Sequence, residues 1–287
     1  MLAIKHILFP IDFSERCCAA APFVEAMANR FGAKITLMSV ATPYWYAGGD
    51  PGVPMVIDMD EVADQLRQRL NHALTRELSA FEVDRVVDVG DPAEIITRFA
   101  HHEGVDLIMM PTHGYGPFRS FLLGSVTAKV LHDAQCPVWT AAHVEEHPVK
   151  DHVACRNVLC AVDGTPKAAP LIEWAAEFAK HNGAALRLVH VIGGIEGWPE
   201  RQINQEFEEM MRKEARAVVE RLQRGAGVEA PLCVVTGDVA GAVREEARRH
   251  GADLVVIGRG LLHETLGRLR THSYGIIRQA PCPVISI

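Results

Sequence analysis

With 287 residues, the chain is long enough for one large domain or for two domains of about 140 residues each. Its apolar content of 48% and charged content of 23% are typical of a globular protein, and no segment approaches the roughly 18 uninterrupted apolar residues of a membrane span. A net charge of −7 argues against a general binder of nucleic acid or of an anionic membrane.

The chain starts directly with an apolar run, residues 4–11, and lacks the charged head and cleavage site of a signal peptide. Its seven cysteines are an odd number without regular spacing, which fits a reducing compartment better than a disulfide framework. We therefore predict a cytoplasmic location.

The first half begins with a strand and a helix. Residues 4–11 are apolar enough for a strand that is buried on both faces. Ser14 is suited to cap the following helix, and Gly32 stands where that helix should end. Pro22 lies inside the helical pattern, so we expect a kink or a shortened helix there.

The rest of the first half alternates strand and helix patterns in the same way. The predicted elements are a strand at 35–40, a helix carrying Val62, Leu66, Leu70, Ala73 and Leu74, a strand at 83–89, a helix at 92–102, a strand at 106–110, a helix from Gly124 to His132 and a strand at 137–141.

The second half repeats the first, with a shift that falls from 151 to 146 residues along the chain. Such a drift is what small loop deletions produce, so we interpret the chain as two copies of one domain. The matched pairs keep their order: His6–Ser14 with Asn157–Thr165, Gly32 with Gly183, Gly90-Asp91 with Gly237-Asp238, Val105–Ile108 with Ala252–Val255, and Cys136-Pro-Val138 with Cys282-Pro-Val284.

This repeat predicts two domains, residues 1–145 and 153–287. The stretch between them, residues 143–152, is charged, rich in histidine and poor in apolar residues, as linkers are. In the second copy, Thr165 and Pro166 are expected as N-cap and first residue of a helix. A long helix carrying Phe207, Met211, Ala215, Val218 and Leu222 is expected later.

Five strands that alternate with four helices in each copy predict an α/β protein. We expect two tandem Rossmann-like or flavodoxin-like domains, each a five-stranded parallel sheet with helices on both faces, packed as an internal pseudo-dimer. Ligands of such sheets bind beyond the carboxyl ends of the strands, where the strand order reverses.

One stretch of the first copy has the features of an anion site. An apolar strand, 107–110, ends in the turn Pro111-Thr112-His113-Gly114, and after nine residues Gly124-Ser125 opens a helix. Glycines let the backbone approach a ligand, and amides at a helix start favour negative charge. An ordinary strand–loop–helix connection is the alternative, which short glycine motifs alone do not decide.

The spacing Gly114, nine residues, Gly124-Ser125-Val126 resembles the nucleotide motif of the universal stress protein family, with Pro111 in place of the first glycine. Asp12 after the first strand and the closing Cys136-Pro-Val138 strand are also similar to the family. The resemblance covers both copies and implies the tandem two-domain form.

The resemblance implies that ATP, with or without Mg²⁺, binds at the strand ends, and that dimers form through the last strand. Adenine and ribose would lie against Ile11, Asp12 and Val40, with Met110 under the base. The full set of nucleotide-binding residues predicted in the first copy is Ile11, Asp12, Val40, Met110, Pro111, Thr112, His113, Gly114, Gly124, Ser125 and Val126.

The second copy departs further from the motif, with Gly258-Arg-Gly260, nine residues, then Arg270-Thr271. A long side chain at 270 either fills the phosphate pocket or engages phosphate by its charge, and we favour the first because close approach is what glycine supplies. A possible second site would comprise Asp163, Val191, Gly258, Gly260 and Thr271. Our hypothesis is one competent site per chain.

No set of catalytic residues and no metal site can be assigned from spacing. His113 is either a turn residue or a general base, and Arg119, Arg259 and Arg268 are either phosphate clamps or solvated loop charges. The function that the sequence favours is an ATP-binding stress sensor or regulator with at most weak ATP hydrolysis and an unknown protein partner. A homodimer, in addition to the internal pseudo-dimer, is left open. The alternatives are a slow ATPase, and a nucleotide-free interaction module with remnant motifs.

Overall fold

The computed structural model describes residues 2–42, 58–112, 123–142, 153–193, 205–259 and 269–287. The chain divides into two compact units, the first from Ala3 to Trp139 and the second beginning at Thr140. The predicted linker, residues 143–152, lies outside the described residues.

Both copies form a five-stranded parallel sheet, as predicted from the sequence. The first five strands are β1 (His6–Pro10), β2 (Lys34–Ala41), β3 (Val83–Val89), β4 (Leu107–Met109) and β5 (Val138–Thr140), and they pair in the order β3-β2-β1-β4-β5. The last five are β6 (Asn157–Val162), β7 (Ala185–Ile192), β8 (Leu232–Thr236), β9 (Leu254–Ile257) and β10 (Val284–Ser286), in the matching order β8-β7-β6-β9-β10.

Helices connect these strands, as parallel crossovers require. In the first copy they are α1 (Glu15–Ala19), α2 (Ala21–Phe31), α3 (Met59–His72), α4 (Pro92–His102) and α5 (Ser125–Asp133). In the second copy they are α6 (Ala168–Asn182), α7 (Gln205–Gly225), α8 (Val239–Arg249) and α9 (Leu269–Gln279). All five residues of β1 are buried, so both faces of the sheet are covered at its centre.

The first helical segment is broken in two, which confirms the effect expected of Pro22. The Ser14 hydroxyl accepts the amide of Cys17 and caps α1, which ends at Ala19. Then α2 starts with Pro22 in its first turn, where the missing N–H costs nothing. Gly32 ends α2 with a φ of 63°, as expected for a glycine C-cap.

Two predicted helix boundaries were wrong. The Thr165 carbonyl accepts the Ala168 amide in a turn, and α6 begins only at Ala168, with Lys167 rather than Thr165 as its N-cap. At the other boundary, Ala73 and Leu74 follow α3 rather than belonging to it. Arg85 of β3 donates from Nε to the Leu70 carbonyl at 2.9 Å, and the amide of Ala73, the C-cap of α3, donates to the same carbonyl at 3.2 Å.

An aspartate clamps the amino ends of the central strands in both units. Asp106 Oδ2 accepts two consecutive backbone amides at the start of β1, at 2.7 and 3.0 Å. Asp253 Oδ2 accepts the two equivalent amides at the start of β6, at 2.8 and 2.9 Å. Equivalent aspartates therefore hold the amino end of the central strand in place in each of the two units.

A buried histidine makes a further contact at this end of the first unit. His6 Nε2 lies 2.8 Å from Thr36 Oγ1, and Nδ1 lies 3.3 Å from the Glu103 carbonyl. Burial, and then the charge of Lys34, lower the pKa of His6 below its usual value. At the matching position Asn157 donates to the Gly251 carbonyl at 3.2 Å, so the second unit makes a similar bond without a titratable group.

We expect acid to weaken the first unit through His6. Because the pKa of His6 is lowered on folding, its contribution is complete above the unfolded value of about 6.5 and is lost as the pH falls through the folded value. The urea midpoint for unfolding of the β1 region should be lower at pH 5.5 than at pH 7.5. Pulsed hydrogen exchange at a fixed labelling pH measures this midpoint. His6→Asn should flatten this dependence, whereas His72→Asn, at an exposed position, should not. An unchanged slope in His6→Asn would refute the assignment.

Candidate functional site

The strand order of the first unit reverses between β1 and β4, so the crevice expected of this fold lies beyond their carboxyl ends. The residues that follow these two strands are Ile11 and Asp12 after β1, and Met110, Pro111 and Thr112 after β4. The structure therefore brings the two predicted segments of the first-copy site to one edge of one sheet.

The turn after β1 is closed by its own side chains. Asp12 Oδ1 accepts both the amide and the hydroxyl of Ser14, at 2.9 and 2.6 Å, while the Asp12 side chain remains exposed. Phe13, between them, has a φ of 62°, a left-handed conformation that costs a non-glycine residue about 1–3 kcal/mol. The Arg69 guanidinium lies 4.3 Å from the centre of the Phe13 ring, and this cation–π contact offsets part of the strain.

The predicted base-binding residues differ in their exposure. Val40, near the end of β2, is half-buried, whereas Ile11 and Met110 are each 5% exposed. The Ile11 amide donates to the Met38 carbonyl at 2.8 Å, and the Met110 amide donates to Trp139 at 3.1 Å. The backbone at both strand ends is therefore fixed by neighbouring strands.

The start of α5 presents amides without a capping side chain among the described residues. Gly124 is the N-cap, and its own amide donates to the Thr112 carbonyl at 2.8 Å. Ser125 is exposed and Val126 is half-buried. Because the first amides of a helix have no intrahelical acceptor, those of Ser125 and Val126 can bind an anion.

A buried hydroxyl ties α5 to the end of β4. Thr127, 3% exposed, donates from Oγ1 to the Pro111 carbonyl at 3.1 Å. Pro111 and Thr112 are themselves buried. The Pro111 carbonyl accepts the Thr127 hydroxyl of α5, and the Thr112 carbonyl accepts the amide of Gly124, the residue before α5. The helix start thus has a fixed position relative to the strand.

The second unit repeats this frame. Asp163 Oδ1 accepts the amide and the hydroxyl of Thr165, both at 2.9 Å. Ser273 of α9 donates to the Gly258 carbonyl at 3.4 Å, as Thr127 does to Pro111. Val191 and Gly258 are half-buried at the ends of β7 and β9.

Arg259 is half-buried, and its amide donates to the Ile287 carbonyl at 2.8 Å. The other predicted site residues lie outside the described residues. These are His113, Gly114, Arg119, Gly260 and Arg268, together with the side chains of Arg270 and Thr271. Within the described ranges, no group of three or more His, Cys, Asp or Glu side chains is arranged to hold a metal ion.

Known proteins match both copies. The sequence profile of the universal stress protein family matches residues 3–141 and again residues 154–287. The chain belongs to the universal stress protein family. This confirms the resemblance seen in the motifs, including its tandem two-domain form.

Individual universal stress proteins match one copy or the whole chain. One from Methanocaldococcus jannaschii is 30% identical over 149 residues, which cover 47% of this chain and 92% of that protein. The crystal structure of a universal stress protein from Archaeoglobus fulgidus covers 99% of this chain and 96% of its own, with a TM-score of 0.70 and 22% identity. The crystal structure of a putative universal stress protein from Pseudomonas aeruginosa covers 99% of this chain and 93% of its own, with a TM-score of 0.62 and 18% identity. These two likenesses support the fold.

In the parts of the chain that the structure describes, every helix is too short or too polar to cross a bilayer.

The sequence did not reveal the hydroxyl groups that hold the strand ends and the helix starts of the two units in place. Thr127 and Ser273 were not singled out, nor were the bonds from Ser14 and Thr165 to the preceding aspartates. The signal for the turn was visible, since Asp-x-Ser and Asp-x-Thr follow the first strand of each copy and such residues bond within turns.

We expect Thr127→Val to destabilise the first unit by about 1–3 kcal/mol, because it leaves the buried Pro111 carbonyl without its side-chain donor. Thr127→Ser keeps the hydroxyl and serves as the control. Urea unfolding of the three proteins measures the difference. Equal stability of the valine and serine variants would show that the hydrogen bond contributes little.

Proposed function

We propose that this universal stress protein binds ATP in its first unit and acts as a nucleotide-dependent regulator in the stress response. The observation that carries the proposal is the start of α5, which no side chain of the described residues caps and which follows β4 at the reversal point of the strand order. Family membership supports the proposal.

The start of α5 is suited to phosphate. The amides of Ser125 and Val126 and the exposed Ser125 hydroxyl are its donors in the described part of the site. The Gly124 amide has its acceptor in Thr112, so this glycine contributes by allowing close approach rather than as a donor. Pro111 has no N–H to offer.

The strand ends are suited to a nucleoside. Asp12 uses Oδ1 within its turn, which leaves Oδ2 to accept a ribose hydroxyl. Val40, half-buried, and the backbone of Ile11 would border the base, with Met110 below it. Any Mg²⁺ would be held mainly by the phosphates, as is usual for this ion.

The first unit is proposed as the one competent site of the chain. In the second unit, arginine replaces the glycine of the first-copy Gly124-Ser125 pair. A regulator needs two conformations that bind ATP with different affinities, and a protein partner, another copy of the chain included, that distinguishes them. We place this activity in the cytoplasm on the basis of composition.

Calorimetric titration of nucleotide-stripped protein with Mg-ATP should give one site per chain. Two sites would show that the arginine at position 270 is tolerated. No heat of binding, with no shift in thermal unfolding at millimolar ATP, would overturn the proposal and favour a nucleotide-free interaction module.

Gly124→Asp should abolish or strongly weaken ATP binding. Gly124 has a φ of −56° and a ψ of 141°, which any residue can adopt, so the fold should tolerate the aspartate. The new carboxylate would accept hydrogen bonds from the amides of α5 and repel phosphate. Each hydrogen bond that the phosphate loses costs about 1.5–3 kcal/mol, so the affinity for ATP should fall at least about tenfold. The matched control, Arg270→Asp in the second unit, should bind ATP like the parent. Equal affinity of Gly124→Asp and the parent would contradict a phosphate site at α5.

A further inference from the structure

Lys129 of α5 forms an ion pair with the start of the neighbouring helix. Its Nζ lies 3.1 Å from Oδ1 of Asp91, the N-cap residue of α4, and α4 packs against α5. The same oxygen accepts the Glu94 amide at 3.0 Å. The hydrogen bond from Glu94, and then that from Lys129, lower the pKa of Asp91 below its usual value. The ammonium group of Lys129 is therefore held at the start of α4.

This ammonium group lies at the same edge of the sheet as the proposed phosphate site. Helices α4 and α5 follow the parallel strands β3 and β4, so both helices start at the carboxyl edge. Ser125 precedes Lys129 by four residues, which places both on one side of α5, about 6 Å apart along its axis. Helical side chains lean towards the N-terminus, so the lysine extends towards Ser125. A phosphate bound at Ser125 is thus within reach of the lysine side chain.

The ion pair with Asp91 is easily exchanged. The side chain of Lys129 is 57% exposed, and that of Asp91 is 41% exposed. Ion pairs this exposed contribute little to stability, because water screens them. The phosphates of ATP carry more negative charge than a single carboxylate, and the amides of α5 would bind them at the same time. Transfer of the ammonium group from Asp91 to phosphate therefore costs little and provides a stronger partner.

The second unit has neither this lysine nor the room for it. Gly275 of α9 is the counterpart of Lys129, and a Cβ added to it would lie 3.0 Å from the Cβ of Ala240 in α8. A side chain at that position would push the two helices apart. The aspartate cap is present in both units, since Asp238 caps α8. The lysine, in contrast, belongs to the unit that keeps the glycine-serine pair at its helix start.

We propose that Lys129 is a phosphate-binding residue of the first unit, paired with Asp91 in the free protein and transferred to the phosphates when ATP binds. This inference rests on the proposed function. It adds a charged side chain to donors that are otherwise amides and a hydroxyl in the described part of the site. It also supplies a difference between the two states of a regulator, because the ion pair between α4 and α5 exists only in the free one.

Lys129→Met tests the contact with phosphate. The variant keeps a long side chain and removes its charge, at an exposed helical position that suits methionine. Calorimetry should show a loss of affinity for Mg-ATP of about tenfold and an unchanged affinity for adenosine, which has no phosphate. Lys5→Met removes the same charge from an exposed residue at the amino edge of the sheet and should leave both affinities unchanged.

Asp91→Asn tests the exchange of partners. Asparagine caps helices as well as aspartate does, but it carries no charge to hold an ammonium group. The freed lysine should bind phosphate more readily, so the affinity for ATP should rise about two- to fivefold, as expected when one competing exposed ion pair is lost. In the background of Lys129→Met the same substitution should have a smaller effect, because no lysine remains to be released.

The outcomes separate this inference from the proposed function. Equal affinities of Lys129→Met and the parent for ATP would overturn the role of Lys129 and leave the proposed function standing. Equal losses for ATP and adenosine, or a weaker ATP affinity in Asp91→Asn, would show that the ion pair only supports the fold of the site, which also overturns the inference. A parent that binds no ATP would overturn both.

Discussion

Each strand of a parallel sheet ends in carbonyl groups that the ladder no longer pairs, and buried carbonyls must find donors. This constraint governs the carboxyl edge of the sheet in both units. The Pro10 carbonyl at the end of β1 receives the Cys17 thiol at 3.5 Å, and the Pro111 carbonyl after β4 receives the Thr127 hydroxyl. At the end of β6 the donor is His190. The donors that satisfy the strand ends thus lie at the edge of the sheet where this fold places its ligand crevice.

The two units share the frame and differ in what stands within it. The aspartate clamp at the amino ends, the aspartate turn at the carboxyl ends and the helix hydroxyl are present in both. These contacts fix the backbone, so they survive when side chains beside them change. At the amino ends, the buried His6 of the first unit corresponds to Asn157 of the second. At the carboxyl ends, Phe13 and Ser39 of the first unit correspond to Gly164 and His190 of the second.

The fold could be predicted because its signals are periodic and occur twice. Helix α4 was placed at its observed ends because Asp91 caps it, Pro92 begins it and its apolar residues follow helical spacing. The start of α6 could not be placed in the same way. Thr165 and Pro166 resemble a helix start locally, but their carbonyls accept the amides three residues further on, so this stretch forms tight turns and the regular helix begins at Ala168.

The site was predictable in outline and not in its supporting contacts. The motif spacing located Asp12 and the start of α5, since both follow buried strands. Thr127 looked like an ordinary residue of a helix, because its partner lies 16 residues away across the connection. His190 looked like one residue of a strand, and its contacts with the Val162 carbonyl and with Gly164, both in other elements, appear only in the structure.

The turn after the first strand of each copy has a consequence for how a duplicated domain diverges. Its two outer residues bond to each other, so the loop keeps its shape without help from the residue between them. That middle position has held phenylalanine in one copy and glycine in the other with the same left-handed backbone. Selection could therefore alter the lining of one crevice after duplication while the path of the main chain stayed as it was.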